Sequence, residues 1–486
     1  NGSKQLYLIN PHPPFMRSIS AEEMSALDSN CRYFGLLPIQ LMENAGAAVA
    51  RQVKARAVGS RIAVVAGRGN NGGDAFVAAR HLSSLGLSVT VHLLGRARDI
   101  STEEARRNWD ILKNLDFDLR EIRDGSELSL GGYDLIIDAI FGTGLRGSIT
   151  GLEAAAIDAI NRSGRPVLSV DVPSGLLCNK TVKADATVTF HRPKPGLAGD
   201  VVLEDIGIPP QAEIFTGVGE LMLLSQRGAA SHKGDSGRIL VIGGGPYTGA
   251  PALSAMAALR AGADIVTVAA PGRAARVISA FSPNLIVQGL SADHLCPADV
   301  PILAEQIARH DVVVMGMGLG RHQETASAIR EVLALCRNLG KKTVIDADAL
   351  QPDLPLQGII TPHAGEFQRI SGISLAEMSY RERAGPVKEY AGQKGLVVLL
   401  KGRIDLISDG EALRANATGN AGMTVGGTGD VLAGITGAFY ARASALRAAA
   451  AAAFVNGRAG DLVYLEKGFG MVATDLVERI PEAMRM

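Results

Sequence analysis

Two glycine-rich neighbourhoods far apart in the chain hold the residues best equipped for chemistry. In the second, NAGMTVGGTGDVLAGITGAF at 420–439, glycines can bend a loop so that successive amides converge on an anion. A helix opens there, with Asp430 at its positive end. That layout suits phosphoryl transfer: the amides steady the moving phosphate and the carboxylate takes a proton from an acceptor hydroxyl. A plain helix N-cap behind a flexible turn gives the same letters, so the loop alone leaves both readings open. KGRIDL at 401–406 follows the apolar run LVVLL and could set Lys401 and backbone groups against phosphates. TPHAGEF at 361–367 puts His363 and Glu366 on a loop after a strand, and GMGLG at 316–320 can bring backbone close to a flat ligand. A lone histidine is usually a surface or packed residue, and His363 counts only in that company. No Walker A pattern occurs in the sequence, which argues against a P-loop nucleotidase.

In the first neighbourhood, GRGNNG at 67–72 matches G-x-G-x-x-G between an apolar run and a helical pattern, a setting that can hold a phosphate or make a tight strand-to-helix turn. The pattern recurs as GTGLRG at 142–147, and the strand after the first loop ends in LLGR with no carboxylate for a ribose hydroxyl. Asn71, Asp138 and Ser174 fall at strand ends or in the loops just after them. Gathered there, they could coordinate an alkali cation or merely cap loops. Asp171 in VDVPSG and Lys194 in HRPKPGL could form a proton-transfer pair or a structural salt bridge.

The elements that must position these groups follow an α/β rhythm. RIAVVA, a glycine loop, AFVAARHLSSLG and SVTVHLLG make a βαβ unit. YDLIIDAIFG, a helix over about 151–163, PVLSVDVPSG and ATVTF continue it, so a mostly parallel sheet with helices on both faces is expected. Two helices, ISAEEMSALDSNC and IQLMENAGAAVARQV, precede it. The chain turns polar at SQRGAASHKGDSG before RILVIGGGPYTGAP opens a second unit, which places the domain boundary at 224/225. Strands DIVTVAAP, DVVVMG, KTVIDAD and LVVLLKG, the helix TASAIREVLALCRNLG and a closing alanine-rich helix repeat the rhythm.

At 486 residues the chain fits two domains. Basic and acidic residues balance at 49 each without a block of like charge, which turns attention from nucleic acid and anionic membranes to small molecules. Four scattered cysteines in neither zinc-ligand nor disulfide spacing, with no long apolar run, point to a reducing cytoplasm. The opening Asn1–Phe15 lacks the layout of a signal peptide and is set aside from the fold argument as a possible cloning remnant.

LMENAG at 41–46, GNNGGDA at 69–75, DAIFGTGL at 138–145, VDVPSG at 170–175 and HRPKPGL at 191–197 together resemble the NAD(P)H-hydrate epimerases. The resemblance implies a Rossmann-like domain over 16–224 that interconverts the R and S hydrates of reduced nicotinamide cofactors, NADHX and NADPHX. It implies that Asn70, Asn71, Gly72, Gly73 and Asp74 line the substrate with Gly142, Thr143, Gly144, Leu145, Arg146, Gly147 and Ser148. Asp171 then binds substrate and acts as acid/base, with Lys194 beside it, while Asn71, Asp138 and Ser174 hold potassium. HKGDSGRILVIGG at 232–244, GMGLG, VIDADAL, TPHAGEF and GGTGDVLAG resemble the ADP-dependent NAD(P)H-hydrate dehydratases, a branch of the ribokinase-like α/β fold. That match, running over 232–486 in a domain taken as 225–486, implies that Gly318, His363 and Asp430 contact the hydrate. It gives Lys401, Gly402, Arg403, Ile404, Asp405 and Gly429 to the adenine nucleotide, with Mg²⁺ on its phosphates. A homo-oligomer is expected by the same analogy. The rival reading keeps the fold but makes the second domain a vitamin-precursor kinase and the first a non-catalytic binding module.

Overall fold

The computed structural model describes residues 17–485 except 57–58, 226–227 and 229–230; the reading of Asn1–Phe15 lies outside the described residues. In chain order the first unit contains α1 (Ala21–Tyr33), α2 (Pro38–Arg56), β1 (Arg61–Ala66), α3 (Asn70–Ser84), β2 (Ser88–Leu94), α4 (Glu103–Asn114) and β3 (Asp118–Ile122). It continues with β4 (Leu135–Ala139), α5 (Gly151–Arg162), β5 (Val167–Val170), β6 (Ala186–Phe190) and β7 (Val201–Glu204). Runs such as Ile62–Ala66 and Leu135–Ala139 are buried throughout, as strands covered on both faces must be. The sheet has seven parallel strands in the order β3-β2-β1-β4-β5-β6-β7. On one face Ala63, Val65 and Ile136 pack with Ile157 and Ile160 of α5.

The second unit begins with the short helices α6 (Pro210–Ile214) and α7 (Gly219–Met222), then β8 (Arg238–Ile242), α8 (Gly249–Arg260), β9 (Ile265–Pro271), α9 (Gly272–Ile278) and β10 (Ile286–Leu290). Next come α10 (Val300–Arg309), β11 (Val312–Met315), α11 (Gln323–Asn338), β12 (Lys342–Ile345), β13 (Ile359–Ile360), α12 (Ala364–Ser371) and α13 (Tyr380–Lys394). It ends with β14 (Val397–Leu400), β15 (Asp405–Ser408), β16 (Leu413–Asn416), α14 (Thr428–Arg442), α15 (Ala445–Lys467) and α16 (Ala473–Ala483). The nine strands run β10-β9-β8-β11-β12-β13-β14-β15-β16, parallel as far as β14 and antiparallel beyond it. Alternation along β8 divides the core. Ile239 and Val241 face the cluster with α8, α14 and α15, whereas Leu240 and Ile242 face the one with α10 and α11. The polyalanine run of α15 is buried over Ala448–Ala453, and small residues keep its neighbours close. A Cβ on Gly457 would lie 2.2 Å from Thr418 Oγ1, and one on Gly434 of α14 would lie 2.0 Å from the Ser254 carbonyl.

The chain divides into compact units between Pro209 and Pro210, earlier than the expected 224/225. The polar run after Leu224 is a break in composition only, and the apolar anchors before it already belong to the second unit. Ile214, Leu221 and Leu224 are buried in its cores. Thr216 N–H donates to the Ala415 carbonyl at 2.8 Å, its hydroxyl donates to Asn416 Oδ1 at 2.9 Å, and Arg414 pairs with the buried Glu220.

Candidate functional site

In each sheet the chain works outward from a central strand and then resumes on that strand's other side, so the loops leaving β1 and β4, and those leaving β8 and β11, diverge to open a crevice. At the first crevice the glycines answer a packing need: a Cβ on Gly67 would lie 2.0 Å from the Ile140 carbonyl, and one on Gly72 would lie 2.0 Å from that of Gly67. Asn70 opens α3, and Asn71 sits in its first turn, buried with Gly72 and Gly73 beside the half-buried Asp74. It is therefore helical, not part of the loop as the sequence suggested. Asp138, fully buried near the end of β4, accepts from the Ser169 hydroxyl at 2.7 Å and the Ser174 amide at 2.8 Å. Burial pushes its carboxyl up, against those hydrogen bonds. The Ser174 hydroxyl accepts from the Phe141 amide at 2.9 Å.

Gly142 draws the next loop onto these groups, since a Cβ there would be 3.5 Å from Asp171 Oδ2 and 3.6 Å from Asn71 Oδ1. Asn71, Gly142 and Asp171 thus converge. Thr143 and Leu145 are half-buried along the same loop, and Gly144, Gly147 and Ser148 are exposed. Arg146 instead reaches Glu22 on the surface at 2.5 Å. Asp171, in the left-handed region with φ 65°, lies 2.8 Å from Lys194 Nζ. That ammonium is 2% exposed and also donates to the Phe190 carbonyl at 2.6 Å. Two further carboxyls feel the pair. Burial pushes Asp74 well up, with Asp171 and Asp28 adding to it. Asp28 is an exposed residue, yet desolvation, opposed by Lys194 and helped by Asp171, pushes it up to about 6. Sequence reasoning missed Asp28, which stands on a helix ahead of every glycine loop and carries no motif.

At the second crevice Gly427, at φ 97°, caps the start of α14 and puts Asp430 in its first turn. Two cavities meet there. One, of about 580 Å³, is walled by Tyr247, Thr248, Gly318, Asp348, Gly427 and Asp430, a size ordinary for small-molecule sites. The other, of about 150 Å³, is walled by Lys401, Gly402, Arg403, Asp405 and Gly429 together with Thr418, Asn420, Asn456 and Gly457. Burial and Asp346, opposed by Lys401, with Asp348 adding, push Asp430 up to about 7. Lys401 Nζ lies 2.8 Å from Asp346 and 3.9 Å from Glu366. Burial works against its charge, but Asp346, Glu366 and Asp430 hold it above the usual lysine range. It also faces the first turn of α14, where a Cβ on Gly429 would be 3.4 Å from Nζ. Burial pushes Asp405 up to about 6, against hydrogen bonds from Asn416 and the Gly402 amide.

His363 and Glu366 are not loop residues. They form a capping box at the start of α12, with His363 Nδ1 accepting from the Gly365 and Glu366 amides and Glu366 accepting from the His363 amide. His363 pairs with Lys401 as a β-bridge but walls neither cavity, and Ile404 stands away from the smaller one. Asp346 and Asp348 went unassigned in the sequence although VIDADAL puts two carboxylates just after a strand, a signal that could have found them. Thr418, Asn456 and Gly457 carry no such signal, since only folding brings α15 against their loop.

The chain is similar to known proteins in both halves. A family profile described as "YjeF-related protein N-terminus" matches residues 38–196 and one described as "NAD(P)H-hydrate dehydratase" matches 239–482. The bifunctional NAD(P)H-hydrate repair enzyme of Archaeoglobus fulgidus is 44% identical over 482 residues, covering 96% of this chain and 99% of that one. Its counterpart in Methanothermobacter thermautotrophicus is 44% identical over 489 residues, covering 95% and 94%. Among solved structures, a ribokinase-like superfamily protein from Enterococcus faecalis is 25% identical, with a TM-score of 0.50, and the match covers 56% of this chain and 95% of that one. With identity of this order running nearly end to end, the chain belongs to the family of bifunctional NAD(P)H-hydrate repair enzymes.

Proposed function

We propose that this protein restores hydrated nicotinamide cofactors, epimerising R- and S-NAD(P)HX in its first unit and dehydrating the S form in its second at the expense of ADP. The observation that carries the reading is Asp430, a carboxyl raised to about 7 in the first turn of a helix where two cavities meet. A group of that basicity is suited to take a proton at neutral pH. The hydrate lies in the larger cavity against Gly318, and the nucleotide in the smaller, held by Lys401, Gly402, Arg403, Asp405 and Gly429. Asp430 takes the proton of the C6 hydroxyl as its oxygen bonds to the β-phosphorus of ADP and AMP leaves. The C6–O bond then breaks, phosphate departs, and loss of the C5 proton restores the ring double bond. The amides around Gly427–Gly429 offset charge on the phosphoryl group. Carboxylates outnumber ammonium here, which suits Mg²⁺ near Asp346 and Asp348. When bound, it would neutralise phosphate charge.

In the first unit C6 of the hydrate is a carbon bearing both oxygen and nitrogen, so a proton moved at its hydroxyl lets a bond there open and re-close on the other face. Asp171 and Lys194 are the groups for that transfer. The residues Asn71, Asp138 and Ser174 fit potassium in donor type, because each offers a side-chain oxygen, Asp138 and Ser174 are fully buried, and Asn71 Oδ1 faces the Gly142 loop. Potassium would supply positive charge beside the substrate's phosphates. The four free cysteines fit a reducing cytoplasm, among the described residues no helix is long and apolar enough to cross a membrane, and a homo-oligomer is proposed from the family alone.

The test is absorbance recovery of NADH from mixed R- and S-NADHX with Mg²⁺ and ADP or ATP. Recovery of both epimers with ADP supports the reading. Accumulation of a phosphorylated alcohol without elimination would make the second unit a vitamin-precursor kinase instead.

A further inference from the structure

We propose that His294, His322 and Glu324 form a site for one divalent transition-metal ion of the zinc class, fastening the turn after β10 to the loop that carries Gly318. Their ligand atoms all lie within 4.8 Å of one another. His294 Nε2 is 2.7 Å from Glu324 Oε2, His322 Nδ1 is 3.8 Å from the same oxygen, and the two imidazole rings lie with centroids 3.9 Å apart, tilted by 38°. The residues come from separate pieces of chain: His294 follows β10, His322 caps α11, and Glu324 lies in the first turn of that helix. His322 Nδ1 receives only a long contact from the Glu324 amide, 3.3 Å, which it would give up so that its lone pair faces the ion while Nε2 keeps the ring proton.

Two imidazoles and one carboxylate are the borderline donor set that zinc and its neighbours prefer, while Mg²⁺ takes oxygen donors and water. Around a tetrahedral ion with bonds of about 2.0–2.1 Å, donors stand roughly 3.4 Å apart, a spacing bracketed by the distances here. Partial exposure of all three side chains gives an ion entry without opening the fold and leaves a fourth position to water. The ligands are distinct from the catalytic residues, but the loop is shared: Gly320 N–H donates to Asp348 at 2.9 Å, and both Gly318 and Asp348 wall the larger cavity.

The experiment uses tag-free full-length protein, stripped with chelator and titrated with Co²⁺ and then Zn²⁺ in excess Mg²⁺ and K⁺. One ion per chain is expected, with the ligand-field absorption of four- or five-coordinate Co²⁺ and displacement by Zn²⁺. His294→Ala and His322→Asn should each weaken binding by about a hundredfold while circular dichroism stays unchanged. Asparagine keeps the helix cap and removes the imidazole. Absence of uptake in the micromolar range, or equal uptake by both variants, would overturn the proposal.

Discussion

Lys194 and Lys401 each lie 2.8 Å from an aspartate at the mouth of a parallel sheet, but the aspartate differs in its duty. At the first site the partner is Asp171 itself, the group proposed to work on substrate. At the second the partner is Asp346, and Asp430 feels Lys401 only across the cavity floor, with Asp346 and Asp348 pushing the other way. A direct ion pair fixes two side chains in place, whereas desolvation among like charges tunes a carboxyl toward neutrality. The same fold principle thus delivers a rigid pair in one unit and a poised base in the other.

The strongest way to break this contrast is Asp430→Asn. It should lower dehydration by on the order of 10³-fold and leave epimerisation of R to S hydrate untouched, followed by separating the epimers over time. Next in size is Lys194→Met, which strands Asp171 beside a buried gap. Denaturant unfolding of the first unit should show a loss of about 3–5 kcal/mol, and adding Asp171→Asn should recover stability without recovering epimerase activity.

A pH series sharpens the comparison. Dehydration should fall about tenfold per unit as pH drops below about 7, because Asp430 must be ionised to accept a proton. Stability should move the opposite way. A carboxyl raised from 3.8 to about 7 by folding favours the native state while protonated. That advantage is lost as pH rises from about 4 through about 7, so the wild type should lose melting temperature relative to Asp430→Asn across this window and track it above. A smaller effect is expected from Gly457→Ala. The methyl meets Thr418 and should cost about 1–3 kcal/mol, raising KM for the nucleotide more than for the hydrate. Smallest of all, Ile404→Ala should leave nucleotide KM unchanged, and a severalfold rise would return Ile404 to the cavity wall.

Much of the fold was legible because buried parallel strands read as short apolar runs ending in glycine, as in Arg61–Gly67 and Val312–Gly316. The antiparallel hairpin β15–β16 escaped notice, since DLIS and LRAN are short and half polar, and α13 carries Pro386 inside it, which blurs a helical pattern. The glycine loops, Asp171, Lys194 and Asp430 were visible because their types announce chemistry. The pairing of Lys401 with Asp346 was not, because it joins residues 55 apart in sequence, just beyond the ends of β14 and β12. Asn71 and Glu366 were found but placed in loops, since Gly69 offers no side-chain cap to mark the start of α3 and the cap of α12 is a histidine, His363, outside the usual Ser, Thr, Asp and Asn signal.

The tie between Thr216 and Ala415 bears on how this chain can be dissected. The backbone bridge of Phe215 to Ala415 occupies the outer edge of β16, the last strand of its sheet. A fragment begun at the polar run beyond Leu224 would lay that edge bare along with the apolar seats of Leu221 and Leu224, inviting strand-to-strand aggregation of the kind that yields inclusion bodies. Expression of the second unit alone should therefore start at or before Pro210.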